Sequence, residues 1–251
     1  MYRSCLLINT GNDPDRPRPG RFWLRNRYRV HQRLWMAFPS ASRKTEDTDF
    51  LKAFKPEEFG IGQVHVKRNV DAGFLFHIDP LRHGRAVIIV QSAIKPDWAY
   101  AFHNAKYLLA AEPQVQSFDL CFSAGQRLRF RLAANPTRRL SKNSPDAKAE
   151  SIGKRVPVPN DKLVDWLVRQ ARAGGFMIEP GATTFQPSYV YMKKDENGQR
   201  LRSVLFEGFL RVADPVAFRR TMIRGIGSGK ALGFGLLLVA PADTTGLGEA
   251  V

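Results

Sequence analysis

Apolar residues recur along this chain with two periods, and the switches between them mark out its elements. Tyr2 to Asn9 alternates as a strand, and a Gly/Pro/Arg-rich loop follows from Thr10 to Gly20. From about Asn26 to Phe38 the period lengthens: Val30, Leu34, Ala37 and Phe38 recur at helical spacing, and Pro39 closes the helix because it has no N–H with which to continue it. Ser40 to Gly60 is polar, with a short helix expected near Asp49 to Phe54. Ala72 to Ile78 and Arg85 to Ser92 read as strands joined by the turn Asp79-Pro80-Leu81-Arg82-His83-Gly84. A weaker helical stretch, Trp98 to Leu109, leads into a strand from Val115 to Phe122. The order β-α-β-β-α-β is the ferredoxin-like one.

After Gly125 the pattern starts again. Arg127 to Ala134 alternates, with Leu128, Phe130 and Leu132 on one face and three arginines on the other. A polar, basic loop runs from Asn135 to Gly153, and Arg155 to Val158 follows. Asn160 is the expected cap of a helix through Ala173, ended by Gly174-Gly175. Strands are expected over Ser188 to Met192 and Ser203 to Val212, then a helix from Asp214 and Pro215 to Arg224, then a last strand over Gly235 to Val239. The fold class is therefore α+β: two tandem ferredoxin-like (RRM-like) domains, each with an antiparallel sheet and helices. Their expected spans are 1–123 and 127–242.

Composition narrows the function classes. No apolar run is long enough to span a membrane; the longest, Phe234 to Ala242, reads as a buried strand. Tyr2 to Ile8 is too short for the apolar region of a signal peptide, so the protein is expected in the cytoplasm. Cys5 and Cys121 lie far apart in strand-like runs, which fits neither a disulfide framework nor a zinc site. The 39 Lys and Arg against 23 Asp and Glu give a formal charge of +16, a field that draws in polyanions. The charge is also clustered: from Arg16 to Thr45 there is no acidic residue, and from Arg127 to Arg155 nine basic residues face only Asp146 and Glu150. No segment pairs a basic face with a broad apolar one, so nucleic acid fits better than a membrane surface.

Two motifs invite chemistry. Gly225-Ile226-Gly227-Ser228-Gly229-Lys230-Ala231-Leu232-Gly233-Phe234-Gly235 is not a P-loop, because a helix precedes it, a strand follows it, and Ala231 stands where Ser or Thr would bind the cation. It offers either a tight helix-to-strand turn or a run of accessible backbone N–H groups able to meet a phosphate. Tyr28 and His31 are neighbours one helical turn apart at the edge of the apolar stripe. A histidine can take or give a proton near neutrality and a tyrosine hydroxyl can orient a phosphoryl oxygen, although such a pair is more often structural. His65, His77, His83 and His103 show no ligand spacing, and no carboxylates cluster near His31; no metal site and no cofactor are expected.

These pieces, with the opening strand Met1-Tyr2-Arg3-Ser4, Leu34-Trp35, Val90-Gln91-Ser92, Leu128 to Thr137, Gly153-Lys154-Arg155-Val156, Leu205-Phe206-Glu207-Gly208 and the glycine-rich end through Pro241, resemble the CasE family, the repeat-processing endoribonucleases of type I-E CRISPR systems. The resemblance covers nearly the whole chain. It implies two ferredoxin-like domains, cleavage of CRISPR precursor RNA at the 3′ base of each stem-loop, and retention of the mature crRNA with other Cascade subunits. It also implies metal-independent attack by the RNA 2′-hydroxyl, giving a 2′,3′-cyclic phosphate and a 5′-hydroxyl, with His31 catalytic and Tyr28 beside it. Ser40, Ser42, Arg43 and Lys44 are candidates to assist. The chain departs from the family in longer basic segments over Asp13 to Arg25 and Ser141 to Ile152.

A-form RNA is gripped through phosphates, shape and 2′-hydroxyls. The residues expected to hold it are Arg27, Arg129, Arg138, Arg139, Lys142, Lys154, Arg155, Gly227, Gly229 and Lys230. The rival reading is a stem-loop-binding subunit that holds RNA while another protein cuts.

Overall fold

A computed structural model describes residues 1–11, 19–38, 73–142, 151–194 and 197–242. The short helix expected near Asp49 to Phe54, and Ser40, Ser42, Arg43 and Lys44, lie outside these residues. The chain divides into two compact units: Met1–Asp119 with Tyr191–Gln199 and Ala231–Gly233, and Leu120–Val190 with Arg200–Lys230 and Phe234–Val251.

In the first unit, β1 (Tyr2–Asn9) points Ser4, Leu6 and Ile8 inward. It pairs antiparallel with β3 (Arg85–Ser92) on one side and β4 (Gln114–Ser117) on the other, and β2 (Phe74–Leu81) joins the far side of β3. The resulting order, β2-β3-β1-β4, is that of a ferredoxin-like sheet. β4 is shorter than the expected Val115 to Phe122 because it pairs only with Tyr2 to Cys5 of β1.

The helix expected over Asn26 to Phe38 is α2 (Arg27–Trp35), with Asn26 as its cap, and a further short helix, α1 (Pro19–Arg25), directly precedes it. The basic segment Asp13 to Arg25 thus ends as helix. Asn26 causes the break between the two. It sits in extended conformation and its side chain accepts from the N–H of Tyr28 at 3.2 Å, so its short amide competes with the helical backbone and restarts the helix as a cap. The same side chain grips a distant strand, donating to the carbonyl of Lys193 at 3.0 Å and accepting from its N–H at 3.1 Å. Beyond Trp35 the chain tightens into i to i−3 turns through Phe38. α3 (Trp98–Phe102), capped by Asp97, is only five residues long, so the second helix is as slight as its sequence pattern. Val30, Leu34, Phe76, Ile88 and Phe102 are central to the core beneath.

In the second unit, β5 (Arg127–Ala134) buries Leu128, Phe130 and Leu132. Next come β6 (Thr137–Arg139), β7 (Arg155–Pro157), α4 (Leu163–Ala173), β8 (Phe176–Ile178), β9 (Thr184–Lys194), β10 (Asn197–Val212), α5 (Pro215–Arg224) and β11 (Leu237–Pro241). The sheet runs β11-β5-β10-β8, again fourth, first, third, second within its motif, so the ferredoxin-like order is repeated. Asn160 does not cap α4. It opens a 3-10 turn, Asn160–Lys162, and its side-chain oxygen accepts from Arg202. Asp214 does cap α5, accepting from Val216 and Ala217 at 2.9 and 3.0 Å. Gly175 ends α4 at φ +77°, where a Cβ would come within 2.7 Å of the carbonyl oxygen of Asp214.

The Asn26 clamp can be tested by denaturant titration. Asn26→Ala loses a cap and two further hydrogen bonds and should cost about 2 kcal/mol. Asn26→Asp keeps the acceptor, loses only the amide donor, and should cost about half as much.

Candidate functional site

The first unit sets the surroundings of His31. Helix α2 turns Val30, His31 and Leu34 into the core, and the imidazole lies among three rings. Trp35 meets it edge-on at 5.2 Å, Phe74 lies at 5.5 Å, and Phe76 is nearly parallel at 6.4 Å. His31 is therefore buried, with 8% of its surface exposed, and not at the rim of the stripe as the helical spacing had placed it. The physical reason is that Phe74 and Phe76 project from β2 under α2 and widen the apolar face beyond the aliphatic positions. Tyr28, one turn earlier, is half-buried.

Arg27, at the start of α2, is also half-buried. Burial lowers its pKa to about 10, against an opposing contribution from the charge of Asp79. Asp79 in turn lies 2.8 Å from Nε2 of His77, and both side chains are largely buried. The strand β2 thus carries a polar pair behind its aromatic face, which spacing alone did not single out because residues two apart in a strand are ordinary neighbours. Arg33 anchors the helix from another side, donating to the carbonyl of Ala101 at 3.0 Å and to Oδ1 of Asn104 at 2.7 Å.

In the second unit, most of the predicted basic residues converge. β6 and β7 form a two-stranded ribbon in which Arg138 faces Val156 and Arg139 faces Arg155. Beyond it, Leu140 donates to the carbonyl of Lys154 and Gly153 to that of Leu140. Arg139, Lys142, Lys154 and Arg155 are exposed, so the ribbon end is a compact cationic surface. Placing two arginines directly opposite each other costs a few tenths to 1 kcal/mol in a free sheet, a cost that an anion removes.

The glycine-rich segment meets the root of this ribbon. Ser228 donates through Oγ to the carbonyl of Asn135 at 3.3 Å and lies 3.4 Å from Oγ1 of Thr137, the first residue of β6. Gly229 has φ +75°, and a Cβ there would fall 2.8 Å from the ring of Phe234. Lys230 is half-buried, and its pKa is lowered first by burial and then by the charge of Arg224. The sequence did not mark Arg224 or Ser228, which act through their fold neighbours.

Arg129 stands apart from that cluster, exposed on the outer face of β5. Its neighbours there are neutralised. Arg127 forks onto Glu179 with two bonds of 2.8 Å and lies over Phe209, and Arg131 pairs with Glu207 at 3.2 Å. The hydrogen bond from Arg127 holds the Glu179 carboxyl below its usual range. Among the described residues no three His, Cys, Asp or Glu side chains gather as a metal would need, and no helix is long and apolar enough to cross a membrane.

The model of the family described as CRISPR associated protein matches residues 1–241. The chain belongs to this family. It is 35% identical to the CRISPR-associated endoribonuclease Cse3 of Thermus thermophilus, over 70% of this chain and 85% of that one. It is 27% identical to the Cascade subunit CasE of Escherichia coli, over 96% of this chain and all of the relative. Its place among CasE proteins agrees with the fold. A solved structure of Cse3 bound to a 19-nucleotide RNA superposes with TM-score 0.69 at 29% identity, covering 96% of this chain and 100% of that chain. A second, of Thermus thermophilus Cse3 with an RNA representing a pre-cleavage complex, gives 0.65 at 29% identity over 96% and 98%.

The facing arginines yield an opposite pair of effects. Arg139→Gln should raise the stability of the free protein by a few tenths of a kcal/mol, read by denaturant titration. It should also reduce the thermal stabilisation conferred by a polyanion such as heparin. A variant that is destabilised when free would show that the ribbon does not carry this repulsion.

Proposed function

We propose that this protein is a metal-independent endoribonuclease that binds the stem-loop of CRISPR repeat RNA, cuts at its 3′ base, and holds the mature crRNA among the other Cascade subunits in the cytoplasm. The observation that carries the reading is the setting of His31, a proton-transfer group locked by Trp35, Phe74 and Phe76 one turn from Tyr28. Three rings fix the imidazole in one orientation, the preorganisation that acid–base catalysis requires. A relative at 35% identity is named a CRISPR-associated endoribonuclease and one at 27% a Cascade subunit.

In the proposed reaction the 2′-oxygen upstream of the cut attacks the adjacent phosphorus and gives up its proton. The bond to the 5′-oxygen breaks, and that oxygen is protonated as it leaves. The products are a 2′,3′-cyclic phosphate and a 5′-hydroxyl, with no net oxidation and no water consumed. His31 transfers one of the two protons, and Tyr28 positions the imidazole or a phosphoryl oxygen. Arg27, a cation held at a cost by burial, gains from the negative charge that grows on the phosphorane. The grip lies elsewhere, on Arg129, Arg138, Arg139, Lys142, Lys154 and Arg155, with Gly227, Gly229 and Lys230 supplying backbone N–H groups and a further cation. The proposed division of labour follows the domains: residues 1–123 carry the catalytic helix and 127–242 the basic segment and glycine-rich loop.

Cleavage of repeat RNA should continue in excess EDTA and leave cyclic phosphate ends. His31→Ala should lower the cleavage rate by about 10²- to 10⁴-fold while stem-loop affinity is nearly unchanged. Because the ring is packed, the same change should also cost about 1–3 kcal/mol of stability, so activity is to be measured well below the variant's melting temperature. An RNA with a 2′-deoxy residue upstream of the cut should remain whole with the native protein. Wild-type cleavage by His31→Ala, or cutting of the deoxy RNA, would sink the mechanism.

A further inference from the structure

A second cationic site lies in the first unit, at the turn joining β2 and β3. His83 and Gly84 form this turn with φ of +58° and +66°. The register ends at Leu81 opposite Arg85 and leaves a three-residue loop, whose two successive left-handed positions are ones that Asn and Gly usually occupy. Here the corner is histidine, flanked by Arg82 and Arg85, and all three side chains are exposed. None of them has a carboxylate partner among the described residues, unlike Arg127 and Arg131, whose charges are matched by Glu179 and Glu207.

Beside the turn is a cleft of about 380 Å³ lined by Asn9, Gly11, His83 and Arg85 over Leu109 and Ala110, with no acidic residue among the described residues of its wall. The Asn9 side-chain oxygen is held by the N–H of Gly11 at 3.0 Å, which leaves its NH₂ group as a donor. The carbonyl of Gly84 accepts from Thr10 at 2.8 Å, so the turn is fastened to the end of β1 and the cleft has a fixed wall. Polar donors, unneutralised cations and a small apolar floor are the chemistry of a site for a sugar-phosphate strand.

Its place along the sheet says which part of an RNA it would meet. His31 packs on Phe74, at the opposite end of β2 from Leu81. Seven residues of strand put the two ends about 23 Å apart, a distance of several nucleotides. Resting on the RNA-cleavage reading above, we infer that the β2–β3 turn and its cleft bind backbone phosphates of single-stranded RNA flanking the stem-loop. The site lengthens the footprint without taking part in the cut.

The test uses full-length protein and uncleavable 2′-deoxy RNAs in three forms: the minimal stem-loop, the stem-loop with a 5′ single-stranded extension, and the stem-loop with a 3′ extension. One extension should tighten binding to the native protein roughly tenfold, the size of a charge-assisted hydrogen bond, and which one does so identifies the flank. The double variant Arg82→Ala, Arg85→Ala should lose that gain. Its slope of log K against log salt on the extended RNA should flatten by about 1.4, at about 0.7 for each single-strand phosphate that is no longer neutralised. Binding of the minimal stem-loop, and cleavage of an all-ribose stem-loop carrying one nucleotide beyond the cut, should be unchanged, and Arg82→Lys, Arg85→Lys should keep most of the gain. No gain from either extension, a gain that survives the alanine variant, or equal weakening on the minimal stem-loop would overturn the site. Failure of the native protein to bind even the minimal stem-loop would overturn the proposed function, and this site with it.

Discussion

The packing on which the first unit turns is the seating of α2 on the aromatic face of β2. Val30 and Leu34 bury fully, and between them His31 lies over Phe74 and Phe76. Phe38 extends the stack, with its ring 4.9 Å from Phe74, and Trp98 of α3 closes on Phe38. A histidine at this point is expensive as core, because it brings two polar nitrogens where carbon would do. The same packing gives it what a surface histidine lacks, a single orientation. In the proposed mechanism stability and function are drawn from one set of rings, and the helix is fastened at its N-terminus by Asn26 and at its flank by Arg33.

The charges divide into those that are satisfied within the protein and those that are not. On the outer face of the second sheet, Glu179 is shared by Arg127 and Arg211 and Glu207 is matched to Arg131, so much of the charge on that face is answered from within the protein. On the β6–β7 ribbon, Arg139 and Arg155 face each other. Arg27 and Lys230 are pressed into partly desolvated positions that depress their pKa values. These groups are strained in electrostatic terms while the protein is free, and the strain has one sign. Each would be relieved by negative charge arriving from outside.

Much of this was legible in the residues, for identifiable reasons. The strands β1, β3 and β5 show clean alternation because one face is core and the other is not, and Asp214-Pro215 announces α5 through its cap. The start of α2 at Asn26 was legible because Asn is a cap by type; what was hidden is α1 before it and the grip of the Asn26 side chain on Lys193, 167 residues away. Asn160 misled in the opposite sense: a good cap by type, it is taken by Arg202 from another strand. The burial of His31 was hidden for the same reason, since Phe74 and Phe76 belong to another element. The convergence of Arg138, Arg139, Lys154 and Arg155 was foreshadowed by composition, but the register that sets Arg139 opposite Arg155 depends on a loop whose length has no periodic signal.

The glycine-rich segment has a consequence of a different kind. Gly225, Gly227, Gly229, Gly233 and Gly235 all have positive φ, and at the last four neighbouring rings or carbonyls occupy the space where a side chain would begin; Gly233 and Gly235 are buried, so the part that meets solvent is the main chain around Gly227 and Gly229. In the proposed reading, the main chain at Gly227 and Gly229 offers the same N–H groups whatever lies in front of it, so it would sense a phosphate without telling one base from another. It is also nearly closed to revision, because almost any replacement must first pay for the backbone. Whatever discrimination between repeats this protein has must reside in the side chains of its ribbon and helices, and an attempt to redirect it toward a different RNA should begin there and leave the glycines alone.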